Sequence, residues 1–283
     1  MIEWYQTDSG IWVQGEKPKP PRPRAIDLFA GCGGFSLGVE SGGIDVAAAV
    51  EWEFAAASTY LHNLGHKDVV VFSDKPTHRE KLKAISGTNE RRQEEGCCRW
   101  FWHQDICKLT GEEIIAVCGR FDVVIGSPPC QGMSPAGMKS GGLKLTDPRN
   151  SLTLEYVRLV KELRPRCWVM ENVPQLYTIG KGSLYRMVEE RMTEAGYTVT
   201  GNIVDACDYG VPQHRRRAIV MGTLGDAPLA APMPTHWPRV ACPDGSRSFV
   251  GFQGKVEPDG DAGAQDDALG EQQLALWDSK GDQ

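Results

Sequence analysis

The sequence has no apolar run approaching the roughly 20 residues that cross a bilayer, so a membrane-spanning helix is excluded. It has no basic segment followed by an apolar one at Met1-Ile2-Glu3-Trp4-Tyr5, so no secretory signal is read and a cytoplasmic setting is expected. It has no excess of positive charge. The 31 Lys and Arg stand against 37 Asp and Glu, and the formal net charge of -6 argues against a chain coated with basic residues, leaving room for a local basic patch. It has no CxxC pair among nine scattered cysteines, so neither a zinc ribbon nor a disulfide framework is suggested and reduced thiols are expected. The spacing of Cys97, Cys98, His103 and Cys107 fits no common finger, and no metal is assigned. What is present is ordinary globular composition, 41% hydrophobic and 24% charged over 283 residues, enough for one large domain or two small ones.

Residues 1–24 end in Gly-Glu-Lys-Pro-Lys-Pro-Pro-Arg-Pro-Arg, which neither continues a helix nor pairs in a sheet and reads as an extended leader. From Ala25 the pattern alternates. Apolar runs at Ala25 to Phe29, Ile44 to Val50, Phe121 to Ile125, Cys167 to Met170 and Ala218 to Met221 read as strands. Between them, Leu152, Tyr156, Leu159, Val160 and Leu163, then Leu184, Met187, Val188 and Met192, repeat at helical spacing. A parallel sheet wrapped by helices accounts for this order. Residues 66–99 read as a solvated surface insertion ahead of a buried Trp100-Phe101-Trp102 strand, residues 224–265 as irregular, and 266–283 as a flexible acidic tail.

Three segments carry chemistry. Asp27-Leu28-Phe29-Ala30-Gly31-Cys32-Gly33-Gly34 turns from a strand into a helix, where open α/β sheets bind nucleotide-like ligands. Tight turns also use glycine for steric reasons alone. Glu51, ending the next apolar run, is placed to accept both hydroxyls of a ribose, and Trp52 to stack on an adenine. Gly126-Ser127-Pro128-Pro129-Cys130-Gln131-Gly132 fixes a thiol at the carboxyl edge of the sheet, where a nucleophile or an incidental cysteine would sit. Met170-Glu171-Asn172-Val173-Pro174 brings a carboxylate to the end of the following strand. In Gln213-His214-Arg215-Arg216-Arg217, the residues Gln213, Arg215 and Arg217 share one face if extended.

In this order, together with Asp105-Ile106, these segments resemble those of the DNA (cytosine-5) methyltransferases, over about residues 25–223. Amino-group methyltransferases end the corresponding motif in an aromatic residue rather than a cysteine. The resemblance implies a Rossmann-like α/β fold that uses S-adenosylmethionine, with a mostly parallel seven-stranded sheet and helices on both faces. It implies that Asp27, Phe29, Gly31, Gly33, Glu51, Trp52, Asp105, Ile106 and Pro128 bind the cofactor. Cys130 would add to C6 of a flipped cytosine, with Glu171 acting at N3 through a protonated or closely shared carboxyl, a state that burial favours. Arg215 and Arg217 would contact the base carbonyl and favour the thiolate. Gln131, Ser134, Asn172 and Gln213 would serve the substrate or the lid, which spans Gln131 to Asn150.

Single-chain members of that family continue into a target-recognition region and two closing motifs, which are not found after Pro232-Met233-Pro234-Thr235-His236. The chain resembles the larger subunit of the two-chain members, which implies DNA as substrate and a second polypeptide supplying recognition, in a bacterial or phage-infected cell. The rival readings are a catalytically silent DNA-binding or assembly subunit and an RNA cytosine-5 methyltransferase, though the Cys-Phe-Thr segment of the RNA branch is not found. Gln273-Leu274-Ala275-Leu276-Trp277 resembles peptides that bind the bacterial sliding clamp; the plain alternative is an apolar patch in an acidic tail.

Overall fold

The computed structural model describes residues 4–6, 12–14, 22–90, 96–129, 151–225, 227–236, 239–241 and 247–249. Its contacts divide it into two units, Met1–Ile125 and Gly126–Gln283.

The first unit opens with β1 (Trp4–Gln6) and β2 (Trp12–Gln14), an antiparallel pair within the stretch expected to be an extended leader. Strand and helix then alternate: β3 (Arg24–Leu28), α1 (Gly34–Ser41), β4 (Asp45–Val50), α2 (Phe54–Leu64), β5 (Gly65–Ser73), α3 (Pro76–Ile85), β6 (Cys98–His103), α4 (Gly111–Cys118) and β7 (Val123–Gly126). Strands β5, β6, β4 and β3 lie side by side in that order, all parallel. Parallel strands are covered on both faces, which is why β3 and β4 read as continuous apolar runs rather than alternating ones. Helix ends follow local chemistry. Pro76 occupies the first turn of α3, and Thr110 and Glu113 form a reciprocal capping box on α4.

Residues 66–99 are not a surface insertion. β5 is the edge strand of the sheet, and Val69, Val71, Leu82, Cys98 and Phe101 join Tyr60, Leu61 and Leu64 in one core cluster. The charge that suggested a solvated segment belongs to an amphipathic helix: α3 exposes Arg79, Glu80, Lys81 and Lys83 and buries Leu82.

The second unit contains α5 (Ser151–Leu163), β8 (Cys167–Asn172), α6 (Ser183–Glu194), β9 (Tyr197–Asp205), β10 (Arg216–Leu224) and a short antiparallel pair, β11 (Arg239–Ala241) and β12 (Arg247–Phe249). That pair lies in the segment 224–265 expected to be irregular. β10 runs between β8 and β9, antiparallel to both. Tyr156, Leu159, Val160 and Leu163 of α5 and Leu184, Val188 and Met192 of α6 are buried, as their spacing predicts. The buried tyrosines keep their hydroxyls satisfied, Tyr156 donating to the Val169 carbonyl and Tyr197 to that of Pro165, each at 2.9 Å.

In the first unit the strands lie in the order β5-β6-β4-β3-β7 and in the second in the order β8-β10-β9, which makes eight strands rather than seven. After β3 the chain proceeds to β4 on one side, and it returns later as β7 on the other. The carboxyl end of β3 is therefore a topological switch point, the place where open α/β sheets bind ligands.

The turn at that point has a steric requirement. Gly33 has φ 92°, and a Cβ there would run into Leu64 and Tyr60 of α2. Gly33→Ala should combine left-handed backbone strain with overpacking and lower unfolding stability by roughly 2–4 kcal/mol, measured by urea denaturation. Unchanged stability would mean that α1 and α2 are not packed as described.

Candidate active site

The first unit builds a cradle at the end of β3. The following turn uses left-handed residues at Phe29 (φ 66°), Gly31 (φ 55°) and Gly33. Phe29 is a bulky residue in a region that favours glycine, strain of the kind that ligand-shaped loops carry. At Gly31 an added Cβ would meet nothing within 4 Å, so there the open space lies outside the protein's own packing and leaves room for a ligand. The Gly31 N–H donates to Oε2 of Glu51 and the Glu53 N–H to its Oε1, both at 2.7 Å. The Glu51 carboxylate is thus held between two loops, with lone pairs remaining for further donors.

The backbone of Glu51 is fixed as well. Its N–H donates to the Trp102 carbonyl at 3.0 Å, and its carbonyl lies 3.1 Å from Nδ1 of His103. Nε2 of His103 lies 2.9 Å from Nδ1 of His78 on α3. One pair of tautomers satisfies both bonds, with His78 donating to His103 and His103 donating to Glu51. Trp52 is 63% exposed and offers an aromatic face next in the chain to this carboxylate. Asp105 caps the single turn Ile106–Lys108 by accepting the Cys107 N–H at 3.0 Å, while Ile106 is buried.

Asp27 lies beneath this surface rather than on it. It is fully buried, its Oδ2 accepts the Ser36 hydroxyl at 2.6 Å, and Ser36 is 2.9 Å from the Tyr60 hydroxyl. Oδ1 has no hydrogen-bond partner. Burial pushes the Asp27 carboxyl up to about 7; the Ser36 bond opposes this and the charge of Glu51 adds to it.

In the second unit, Glu171 on β8 and Arg217 on β10 form an ion pair, Nε to Oε1 at 2.7 Å. The expected burial of Glu171 is not found. Its side chain is 27% exposed and that of Arg217 is 24% exposed, so the carboxylate is held by a charge-assisted bond at a solvent-facing edge. Asn172 is buried; its Nδ2 donates to the Pro128 carbonyl at 3.3 Å and its Oδ1 accepts the Val173 N–H at 2.8 Å. It thereby ties the end of β8 to the buried Pro128. The shared extended face of Gln213, Arg215 and Arg217 does not form, because β10 begins only at Arg216. Gln213 and Arg215 are exposed on the preceding turn. Cys130, Gln131, Ser134 and the expected lid from Gln131 to Asn150 lie outside the described residues, as does Gln273 to Trp277.

Asp205, at the end of β9, was missed by the sequence reading. Its carboxylate accepts the Arg215 N–H at 2.8 Å, the Cys207 N–H at 3.4 Å and a bond from His214 Nδ1 at 3.1 Å. Burial alone would raise its pKa, but the bonds from His214, the Arg215 N–H and Cys207 outweigh it and hold the carboxyl at about 2. Ser36 and Tyr60 were also missed, and His103 was weighed only as a metal ligand. Their only sequence signal is a polar residue within an otherwise apolar stretch.

Comparison with known proteins places these features in a family. The model of C-5 cytosine-specific DNA methylases matches residues 24–88 and 99–256. The type II methyltransferase M1.HphI of Haemophilus parahaemolyticus is 36% identical, over 75% of this chain and 48% of its own. M.AquIA of Picosynechococcus sp. is 31% identical, over 76% and 77%. A structure described as a DNA modification methyltransferase encoded within an E. coli prophage superposes with a TM-score of 0.53 at 28% identity, covering 71% of this chain and 47% of that one. The chain thus spans about half the length of M1.HphI and about three quarters of M.AquIA.

The buried acid makes stability depend on pH. A carboxyl whose folded pKa is raised contributes stability that is fully present below about 3.8 and is lost as pH rises through about 7. Relative to Asp27→Asn, the unmodified protein should lose up to roughly 4 kcal/mol between pH 4 and pH 8 in denaturant titrations. A difference that stays constant over this range would place Asp27 in contact with solvent.

Proposed function

The chain belongs to the C-5 cytosine-specific DNA methylase family, and from that premise we propose that it transfers a methyl group from S-adenosylmethionine to C5 of cytosine in DNA. The observation that best supports this is the 2.7 Å bond from Arg217 to Glu171, which joins the ENVP and QHRRR segments. S-adenosylmethionine supplies an electrophilic methyl group. The residues of the cradle fit such a molecule: Glu51 retains lone pairs for a ribose diol, Trp52 exposes a ring for an adenine, and Gly31 leaves open space beside the backbone. Phe29, Gly33, Asp105, Ile106 and Pro128 complete the set assigned to the cofactor, and Asp27 supports it from below.

Cytosine C5 is a weak nucleophile, so the thiolate of Cys130 adds to C6 and makes C5 electron-rich. Negative charge then develops toward N3. Glu171, fixed through Oε1 by Arg217, offsets that charge by sharing a proton with N3 through its carboxyl, and Arg215 approaches the base carbonyl. After methyl transfer a water molecule takes the C5 proton, the electron pair it leaves re-forms the C5–C6 double bond, and the C6–S bond breaks to restore the thiolate. Asn172 sets the backbone of Pro128, from which the Cys130 loop departs, while Gln131, Ser134 and Gln213 serve the substrate side. A stacked base is out of reach of the thiol, so the cytosine is flipped.

Sequence recognition is assigned to a second polypeptide. With a net charge of -6, this chain relies on other cationic surface for much of its phosphate contact. The setting is the cytoplasm, and Gln273 to Trp277 would tether the enzyme to a bacterial sliding clamp. A peptide of residues 266–283 should then bind a bacterial clamp saturably; absence of saturable binding removes the tether.

The central test is transfer of labelled methyl groups to mixed-sequence DNA by the purified chain, with and without the product of the neighbouring gene. Cys130→Ser should reduce transfer by roughly 10³-fold or more, and Glu171→Gln and Arg217→Ala by about 10²-fold each. Transfer that survives Cys130→Ser refutes the covalent route. Full activity of the chain alone refutes the need for a partner, and transfer to RNA but not DNA changes the substrate.

A further inference from the structure

The connection between β9 and β10 gathers three metal-ligating side chains that the methyl-transfer chemistry does not use. Asp205 ends β9, Cys207 lies in the single helical turn Ala206–Tyr209, and His214 precedes the start of β10. Cys207 Sγ is 3.3 Å from His214 Nδ1, which is 3.1 Å from Asp205 Oδ2. All three ligand atoms fall within 4.8 Å of one another, the one such group among the described residues.

We propose that Asp205, Cys207 and His214 form a site for a thiophilic divalent cation of the zinc class, with a fourth position open to water. Four arguments support it. Metal–ligand bonds of usual length at tetrahedral angles separate neighbouring S, N and O ligand atoms by roughly 3.4–3.6 Å, so the Cys207–His214 and His214–Asp205 spacings need only a small expansion, and the third pair lies within 4.8 Å. A thiolate, a carboxylate and a neutral imidazole together carry the charge that balances a dication. The carboxylate is already oriented, because the Arg215 and Cys207 N–H groups hold Oδ1 and leave Oδ2 facing His214. Access is one-sided: Cys207 is fully buried and Asp205 is 7% exposed, whereas the His214 side chain is 56% exposed and gives an ion and its water a route in.

Binding replaces protons. The thiol proton of Cys207 leaves to solvent as the S–metal bond forms, and the proton of His214 moves from Nδ1 to Nε2 so that Nδ1 becomes the ligand. No oxidation is involved. The site lies on the turn from which Arg215 projects and just before Arg217, so an occupied site would stiffen that turn.

The test uses the full reduced chain and Co²⁺ or Zn²⁺ alone, in equilibrium dialysis against a weak chelator, with the absorption spectrum of the Co²⁺ form. One equivalent per chain is expected, with thiolate-to-cobalt charge-transfer absorption and intense tetrahedral d–d bands. Cys207→Ser should lose the charge-transfer band, and both Cys207→Ser and His214→Ala should bind at least tenfold more weakly. Cys107→Ser and Cys130→Ser should bind as the unmodified chain does. Should Cys207→Ser fail to fold by circular dichroism, His214→Ala decides, since that side chain is mostly solvent-exposed. No retention above the chelator, a spectrum without thiolate absorption, or undiminished binding by His214→Ala would overturn the proposal. None of these outcomes bears on the methyltransferase reading, whose test is labelled transfer.

Discussion

The hydrogen-bonded chain from Tyr60 through Ser36 to Asp27 is what the cradle rests on. It joins α2, α1 and β3 beneath a turn that is itself strained at Phe29 and left-handed at Gly31 and Gly33. Ala30 and Gly33 of that turn are buried against the elements under it, and those elements position the loop. An apolar residue in place of Asp27 would leave Ser36 without its acceptor and free the start of α1 from β3. The arrangement costs stability at neutral pH, because the acid is buried with one oxygen unpartnered.

Glu51 in the first unit and Glu171 and Asp205 in the second are arranged differently, and the difference tracks their partners. Glu51 is held at the rim by two backbone N–H groups, Glu171 by a guanidinium, and Asp205 by a histidine and two N–H groups. Each is an acceptor fixed by donors from a separate segment, so each joins two segments while keeping lone pairs for a ligand. The Glu171 carboxylate holds the Arg217 guanidinium, and the Asp205 carboxylate holds the backbone N–H of Arg215.

Much of the first unit was legible. The apolar runs at Ala25 to Phe29 and Ile44 to Val50 became parallel strands because parallel sheets are buried on both faces and their strands need no alternation. The segment 66–99 misled because charge was counted without period. α3 carries its charged residues on the exposed side of one buried leucine, and β5 is an edge strand that tolerates polar positions. The arginine segment misled in another way. Alternation along Gln213, Arg215 and Arg217 presumed an extended chain, whereas Pro212 and the left-handed Gly210 place a turn there and delay β10 until Arg216.

Residue type and order alone determined the family and the α/β alternation, since periodicity and motif order are properties of the chain itself. Only the tertiary structure decided which acids are buried and which are paired. It placed Asp27 under the turn and Glu51 at its rim, joined Arg217 rather than Arg215 to Glu171, and gathered Asp205, Cys207 and His214 into one cluster. The physical reason is that hydrogen-bond partners and desolvation come from segments that folding brings together, and spacing along one strand or helix does not contain them.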